Sequence, residues 1–182
     1  TEAFALVRSL VGLDTGVVMV VDMGAERTNF FIIEGGVPVT HRTIQVGGRN
    51  VNDALVRELG VEASLVDQIK RDMGNMNGDT AWFSRLSPVV DPLIKEIQYS
   101  FDLFLHQTGN EGKKPEKIIL TGGASVFPPV IDLIRQAFPI KVFVGDPWAR
   151  VVYQQELKYL LDSVGPRMSV AIGLAMSHIN NS

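Results

Sequence analysis

Val17-Val-Met-Val-Val-Asp22-Met-Gly-Ala-Glu-Arg-Thr-Asn29-Phe-Phe-Ile-Ile-Glu34 is the stretch that decides the fold. The apolar run over 17–21 is too short for a buried helix and is mostly valine, so it reads as a buried strand. Residues 29–34 repeat that character, and the polar, glycine-bearing segment between the two runs reads as a chain reversal. Gly35-Gly36 then leads into a third strand over 37–45. The chain therefore opens with three antiparallel strands.

Outward from this hairpin, glycine pairs and apolar periodicity divide the rest. After Gly47-Gly48, Val51, Ala54, Leu55 and Leu59 share one helical face, with Asn50 expected as N-cap and Gly60 as terminator. A second helix is expected over 62–73, turning Leu65, Val66, Ile69 and Met73 inward, before a polar loop over 74–79. Between Trp82 and Leu105, Leu86, Val90, Leu93, Ile97, Phe101 and Phe104 trace the buried face of a long helix. Ser87-Pro88 and Asp91-Pro92 each spell a cap followed by a first-turn proline. An interior proline costs about 3 kcal/mol, so a break between the two is expected, with the core segment starting at Asp91. Trp82, Phe83, Phe101, Phe104 and His106 read as core rather than as a binding platform.

Residues 117–121 form the next expected strand, 129–138 a helix and 140–144 another strand, a β-α-β unit whose strands should run parallel with a right-handed crossover. An amphipathic segment over 152–161 and a helix over 169–179, with small residues at Ala171, Gly173 and Ala175, end the pattern. Trp148, in a loop after Pro147, is expected to pack on its own domain. The fold class is α/β, with a mixed sheet of antiparallel hairpin strands followed by a parallel β-α-β pair, flanked by helices. Residues 17–60 with 110–182 read as the core and 61–109 as a helical insert.

At 182 residues, 46% of them hydrophobic, the chain can bury a substantial core. A net charge of −3 provides no basic stripe for a phosphate backbone, so nucleic acid is not an expected partner. There is no cysteine, and His41, His106 and His178 are too scattered to suggest a metal centre. The longest apolar run is far short of the roughly 20 residues of a membrane span, and no export signal is legible at the N-terminus.

Chemistry is carried by two strand ends. At the first, a glycine in a turn lets the main chain approach an anion, its amides can point at it, and Thr28 can add a hydroxyl. Gly24, Ala25 and Thr28 are thus candidate phosphate contacts. Asp22 is the candidate catalytic group, able to hold magnesium through water or to orient an attacking water. The second, Ile118-Ile-Leu-Thr-Gly-Gly-Ala124, ends another strand in glycines, where a ring or ribose can lie on bare backbone. A turn with no ligand has the same spelling at both places. Two such ends in one sheet can face one cleft.

Together with Gln45-Val-Gly-Gly48, these motifs resemble the second phosphate motif and the adenosine motif of the actin, sugar-kinase and heat-shock ATPase superfamily, a ribonuclease H-like fold. Ile44-Gln-Val-Gly-Gly-Arg-Asn-Val-Asn52, Asp67-Gln-Ile-Lys70, Gly122-Gly-Ala-Ser-Val-Phe-Pro128 and Gly145-Asp-Pro-Trp148 are similar to the PilM family of type IV pilus assembly proteins. That resemblance implies ATP and magnesium as cofactors, with binding rather than efficient hydrolysis as the activity. Gly122, Gly123 and Ala124 would contact adenosine, and Asp67 and Lys70 the ribose and base. The family members are cytoplasmic scaffolds, peripheral to the inner membrane through PilN-like partners. The superfamily's first phosphate motif lies in an N-terminal half, which would be a partner to these residues; residues 1–16 read as a residual helix of it. Glu26 and Arg27 depart from the family's small or hydroxyl residues, and the Glu26 carboxylate would repel a phosphate unless Arg27 compensates it. The alternatives are a nucleotide-free interaction domain, or a cell-division or sugar-kinase member of the same superfamily.

Overall fold

The valine-rich run is the middle strand of a five-stranded sheet. In the computed structural model, which describes residues 2–74 and 81–177, with the side chains of 71, 73, 74 and 81–84 outside the description, strand β1 (Val17–Met23) is flanked on both sides. β2 (Thr28–Glu34) pairs with it antiparallel and β3 (Val37–Ile44) continues outward as an edge; β4 (Pro115–Thr121) pairs with it parallel and β5 (Lys141–Val144) forms the other edge. The order is β3-β2-β1-β4-β5. A strand enclosed on all sides has no polar face, which is why β1 lacks the alternation seen along β3.

Each face of the sheet builds its own core. Met19, Val21, Met23, Phe30 and Ile32 point to the side covered by α2 (Gly48–Leu59), α4 (Ala81–Leu105) and α5 (Pro128–Ala137). Val18, Val20, Phe31, Ile33 and Ile119 point to the other, against Leu6 of α1 (Glu2–Leu6) and Val7 and Val11 of the wider π-type turn that continues it. α6 (Lys158–Ala175) closes this side, and Gly173 brings it onto α1: a Cβ there would lie 1.8 Å from the Ala5 carbonyl oxygen. The small-residue stripe in the last helix thus allows backbone to meet backbone.

Several local expectations need correcting. α2 begins at Gly48, with Gly47 as N-cap; Asn50 is the third helical residue, and its Oδ1 accepts from the Gly47 amide at 2.9 Å, so the side chain caps from inside the helix. Gly60 ends α2 in the left-handed region, as expected. The second helix starts later, at α3 (Val66–Gly74), after a 3₁₀ turn that leaves Leu65 half exposed. His106 is exposed at the end of α4, its Nδ1 2.6 Å from the Asp102 carbonyl oxygen, because α4 runs out of buried face after Phe104. Trp148 packs inward as expected, with Nε1 donating to the Leu161 carbonyl at 2.8 Å. The side chains of Trp82 and Phe83, positions 75–79 of the expected loop and the end of the last helix beyond 177 lie outside the described residues.

The proline breaks do not occur. α4 runs unbroken through Pro88 and Pro92, and α6 through Pro166. In α4 the buried positions Leu86, Val90, Leu93 and Ile97 bracket both prolines, and each such side chain gains about 1.5–3 kcal/mol on burial, which outweighs about 3 kcal/mol per proline. Pro92 itself is exposed, off that face. Pro92→Ala restores a donor for the Pro88 carbonyl and removes the ring clash, so it is expected to stabilise the fold by about 1–3 kcal/mol, read as a higher urea midpoint at unchanged slope. In α6 the Pro166 carbonyl accepts from the Gly122 amide at 2.9 Å and the Thr121 hydroxyl at 3.0 Å, tying the proline turn to the end of β4.

Candidate functional site

Asp22 and Thr121 are register partners on neighbouring parallel strands, so β1 and β4 end side by side and their turns open in the same direction. The Ala124 amide donates to the Met23 carbonyl at 3.0 Å, joining one turn to the other. A third turn joins them: the amides of Gly48 and Arg49, at the start of α2, donate to the carbonyls of Gly24 and Ala25 at 2.9 and 2.8 Å. Segments from four elements are thereby held as one unit by main-chain bonds. Among the described residues the amides of Ala25, Glu26 and Arg27 make no backbone hydrogen bond, which leaves free donors in the β1–β2 turn.

A cavity of about 250 Å³ opens between these turns. Gly24, Ala25 and Gly48 wall one end, Gly123 and Ala124 another, and Asn52 of α2, Lys70 of α3 and Arg167 of α6 close it. Lys70 is half-buried, and burial pushes its ammonium below the ordinary lysine range; Asp67 opposes this and Arg167 adds to it. Its Nζ lies 5.6 Å from the Phe127 ring centroid. Neither Lys70 nor Arg167 forms an ion pair among the described residues. Two cations without a contacting carboxylate among the described residues, beside a turn with free amides, suit an anionic ligand.

On the far side of the β1–β2 turn lies a second cavity, of about 500 Å³, bordered by Asp22, Asn29 and Gln45 with Glu2 and Arg27. Gly24 and Ala25 border both, so the turn is a bridge between them.

The sequence-derived candidates divide. Asp22, Gly24, Ala25, Lys70, Gly123 and Ala124 reach one or other cavity. Thr28 does not offer its hydroxyl to a ligand: it is fully buried and donates to the Val46 carbonyl at 2.7 Å, pinning the Gln45–Gly48 turn to β2. Gly122 sits behind the wall, at φ +86°, and a Cβ there would lie 2.5 Å from the Met23 carbonyl oxygen and 2.6 Å from Asp22 Oδ1. Asp67 is exposed and does not line the cavity, acting on Lys70 only through its charge. Arg49, not Arg27, pairs with Glu26, at 2.5 Å, because the hydrogen bond that the Arg49 amide donates to the Ala25 carbonyl sets its side chain beside the turn.

Arg49, Asn52 and Arg167 escaped the sequence reading. Arg49 and Asn52 stand three apart on α2, one face of a helix that starts at the phosphate turn, and that spacing could have flagged them. Arg167 had no local signal; the bonds of Thr121 and Gly122 to Pro166 bring it in.

Burial, reinforced by the Glu2 carboxylate, pushes the Asp22 carboxyl above its ordinary 3.8, against the lowering effect of Asn29 and Arg27. The folded protein therefore holds this proton more tightly than the unfolded chain, so the group's contribution is complete below 3.8 and is lost as pH rises through the raised value. Asp22→Asn is expected to raise the melting temperature at neutral pH, with the gain shrinking as melts are repeated towards 3.8.

The fold occurs in known proteins. A family model described as type IV pilus assembly protein PilM matches residues 3–179. The PilM-PilN type IV pilus biogenesis complex superposes with a TM-score of 0.78 at 24% identity, over 97% of this chain and 51% of that one. An archaeal actin homologue in complex with ADP superposes at 0.57 with 17% identity, over 100% of this chain and 56% of the other. Cell division protein FtsA of Neisseria meningitidis serogroup B is 26% identical over 178 residues, 86% of this chain and 41% of that protein. The chain thus spans about half the length of the relatives it matches. With its actin-like α/β fold and a family match along nearly its whole length, the chain belongs to the PilM family of type IV pilus assembly proteins.

Proposed function

We propose that these residues form the ATP-holding half of a pilus-assembly scaffold. The observation that carries the reading is the main-chain lock between the turns at Gly24, Gly48 and Ala124, beside a cavity where Lys70 and Arg167 form no ion pair among the described residues. The solved archaeal relative with bound ADP supports the same choice of ligand. The nucleoside would lie against Gly123 and Ala124, and the phosphates would follow the Gly24–Ala25 bridge towards Asp22. Gly122 shapes that wall from behind.

Magnesium fits as a partner of Asp22 through water: Asp22 borders the second cavity with Asn29 and Gln45, and although Glu2 and Glu26 also line it, the described residues contain no cluster of three side chains that could hold a metal ion directly. Bound there, the ion would neutralise phosphate charge. Asp22 would anchor its water shell, while Ala25 and Glu26 amides hold phosphate oxygens and Lys70 and Arg167 draw the anion in. A turn on one lobe grips a nucleotide from one side, so an N-terminal half supplying the opposing wall belongs to the same reading.

The PilM-PilN complex among the structural relatives supports a PilN-like partner at the inner membrane for the whole protein. No described helix is long and apolar enough to cross a membrane. In this reading the protein is held at the cytoplasmic face of the membrane through that partner. Calorimetric titration of this chain and its longer parent with ATP and magnesium tests the proposal. Binding by the parent, weakened about tenfold or more in Asp22→Ala, is expected; absence of binding by both would leave a nucleotide-free interaction domain.

A further inference from the structure

The three cations of the first cavity are unequally engaged. Lys70 and Arg167 form no ion pair among the described residues, whereas Arg49 is held 2.5 Å from Glu26. That pair crosses the β1–β2 turn. Gly24 and Ala25 border both cavities, with Arg49 on the side of the smaller one and Glu26 on the side of the larger. A carboxylate is thereby held on a turn whose amides at Ala25, Glu26 and Arg27 make no backbone hydrogen bond, where an anion would sit. Stability gives little reason for the pair: the Arg49 and Glu26 side chains are 69% and 64% exposed, and an ion pair so open to water contributes little to folding.

The Arg49 amide donates to the Ala25 carbonyl at 2.8 Å, so the root of this side chain is fixed to the turn while its long, exposed stem leaves the guanidinium free to change partner. A phosphate offers a guanidinium the same forked geometry as a carboxylate and carries more charge. An anion entering along the turn therefore competes with Glu26 for Arg49, and until the exchange is made it meets the Glu26 carboxylate as a like charge. We infer that Arg49 leaves Glu26 for a phosphate oxygen when nucleotide binds, and that Glu26, as the rival ligand for Arg49, holds down the affinity of the site for phosphorylated nucleotides. The inference rests on the nucleotide reading given above and adds the residue pair that sets its strength.

The test is a double-mutant cycle on the longer parent protein with magnesium present. Wild type, Glu26→Gln, Arg49→Gln and the double variant are titrated with labelled ATP, and with adenosine, which lacks phosphate, read by displacement of the label; thermal melts show that each variant folds. Glu26→Gln is expected to bind ATP about tenfold more tightly than wild type and Arg49→Gln about tenfold more weakly, while adenosine stays within about twofold across the set. The double variant should bind ATP more tightly than Arg49→Gln, because the like charge is gone, but by less than the gain in Glu26→Gln, because no guanidinium is released to the phosphate. Strictly additive effects would leave repulsion without exchange and overturn the inference. So would ATP binding in Glu26→Gln that is unchanged or weaker, or adenosine affinities that shift as much as those for ATP, which mark a structural role; in each case the nucleotide reading stands. If Arg49→Gln does not fold, the Glu26→Gln result alone still decides. Failure of both wild type and Glu26→Gln to bind ATP overturns this inference and the nucleotide reading together, whereas binding that emerges in Glu26→Gln alone supports both.

Discussion

Gly122→Ala is expected to destabilise the protein by about 3–5 kcal/mol, the upper range for a single substitution. Two causes add. At φ +86° an L-residue costs about 1–2 kcal/mol. The new methyl would also stand 2.5 Å from the Met23 carbonyl oxygen and 2.6 Å from Asp22 Oδ1, with backbone on one side that cannot rotate away. Relief requires β1 and β4 to separate at their ends, which breaks the Ala124–Met23 bond and strains that from the Gly122 amide to Pro166. Gly60→Ala provides the internal control. It has a similar φ, +64°, but open space around the added methyl, so it should cost only about 1 kcal/mol. Urea denaturation of both variants separates the close approach from the backbone term: equal losses would mean that the two turns do not press on one another.

Removing Lys70 and Arg167 together is expected to weaken ATP binding about a hundredfold while leaving folding unharmed. Each cation lines the cavity with no ion pair among the described residues, and burial and Arg167 both push the Lys70 ammonium below its usual range. Two like charges held close without partners oppose folding, so the double alanine variant should melt no lower than wild type, and higher at low salt. Lost binding with retained stability is the signature of groups placed for a ligand, whereas a structural pair would show the reverse. Titration and thermal melts on the same preparation decide it, and an unchanged ATP affinity would remove the charge argument for the cavity.

Most strands were legible because their information is local. Val17 to Val21 can only be a strand in a chain of this composition, and Gly35-Gly36 can only be a turn between strands. The helices were legible where one apolar face ran without interruption, as from Leu93 to Phe104. Prediction failed at the prolines. Their cost is a local quantity, but the burial of Leu86 and Val90 that outweighs it depends on a sheet assembled from distant residues. Asn50 was misplaced for a related reason: as a capping residue it works equally well before the helix or inside its first turn, and only the position of Gly47 against the β1–β2 turn decides which.

For the candidate site the division is similar. The sequence by itself determined where backbone could be exposed to an anion, because glycine and strand ends are written in adjacent residues, and Asp22, Gly24 and Gly123 line the cavities. Tertiary structure alone decided which polar groups face them. Thr28 turned inward to hold Val46, while Arg49, Asn52 and Arg167 arrived from the packing of α2 and α6. A side chain's direction depends on what its neighbours leave vacant, and those neighbours come from segments far apart in the chain, so a hydroxyl or guanidinium read in isolation carries no address.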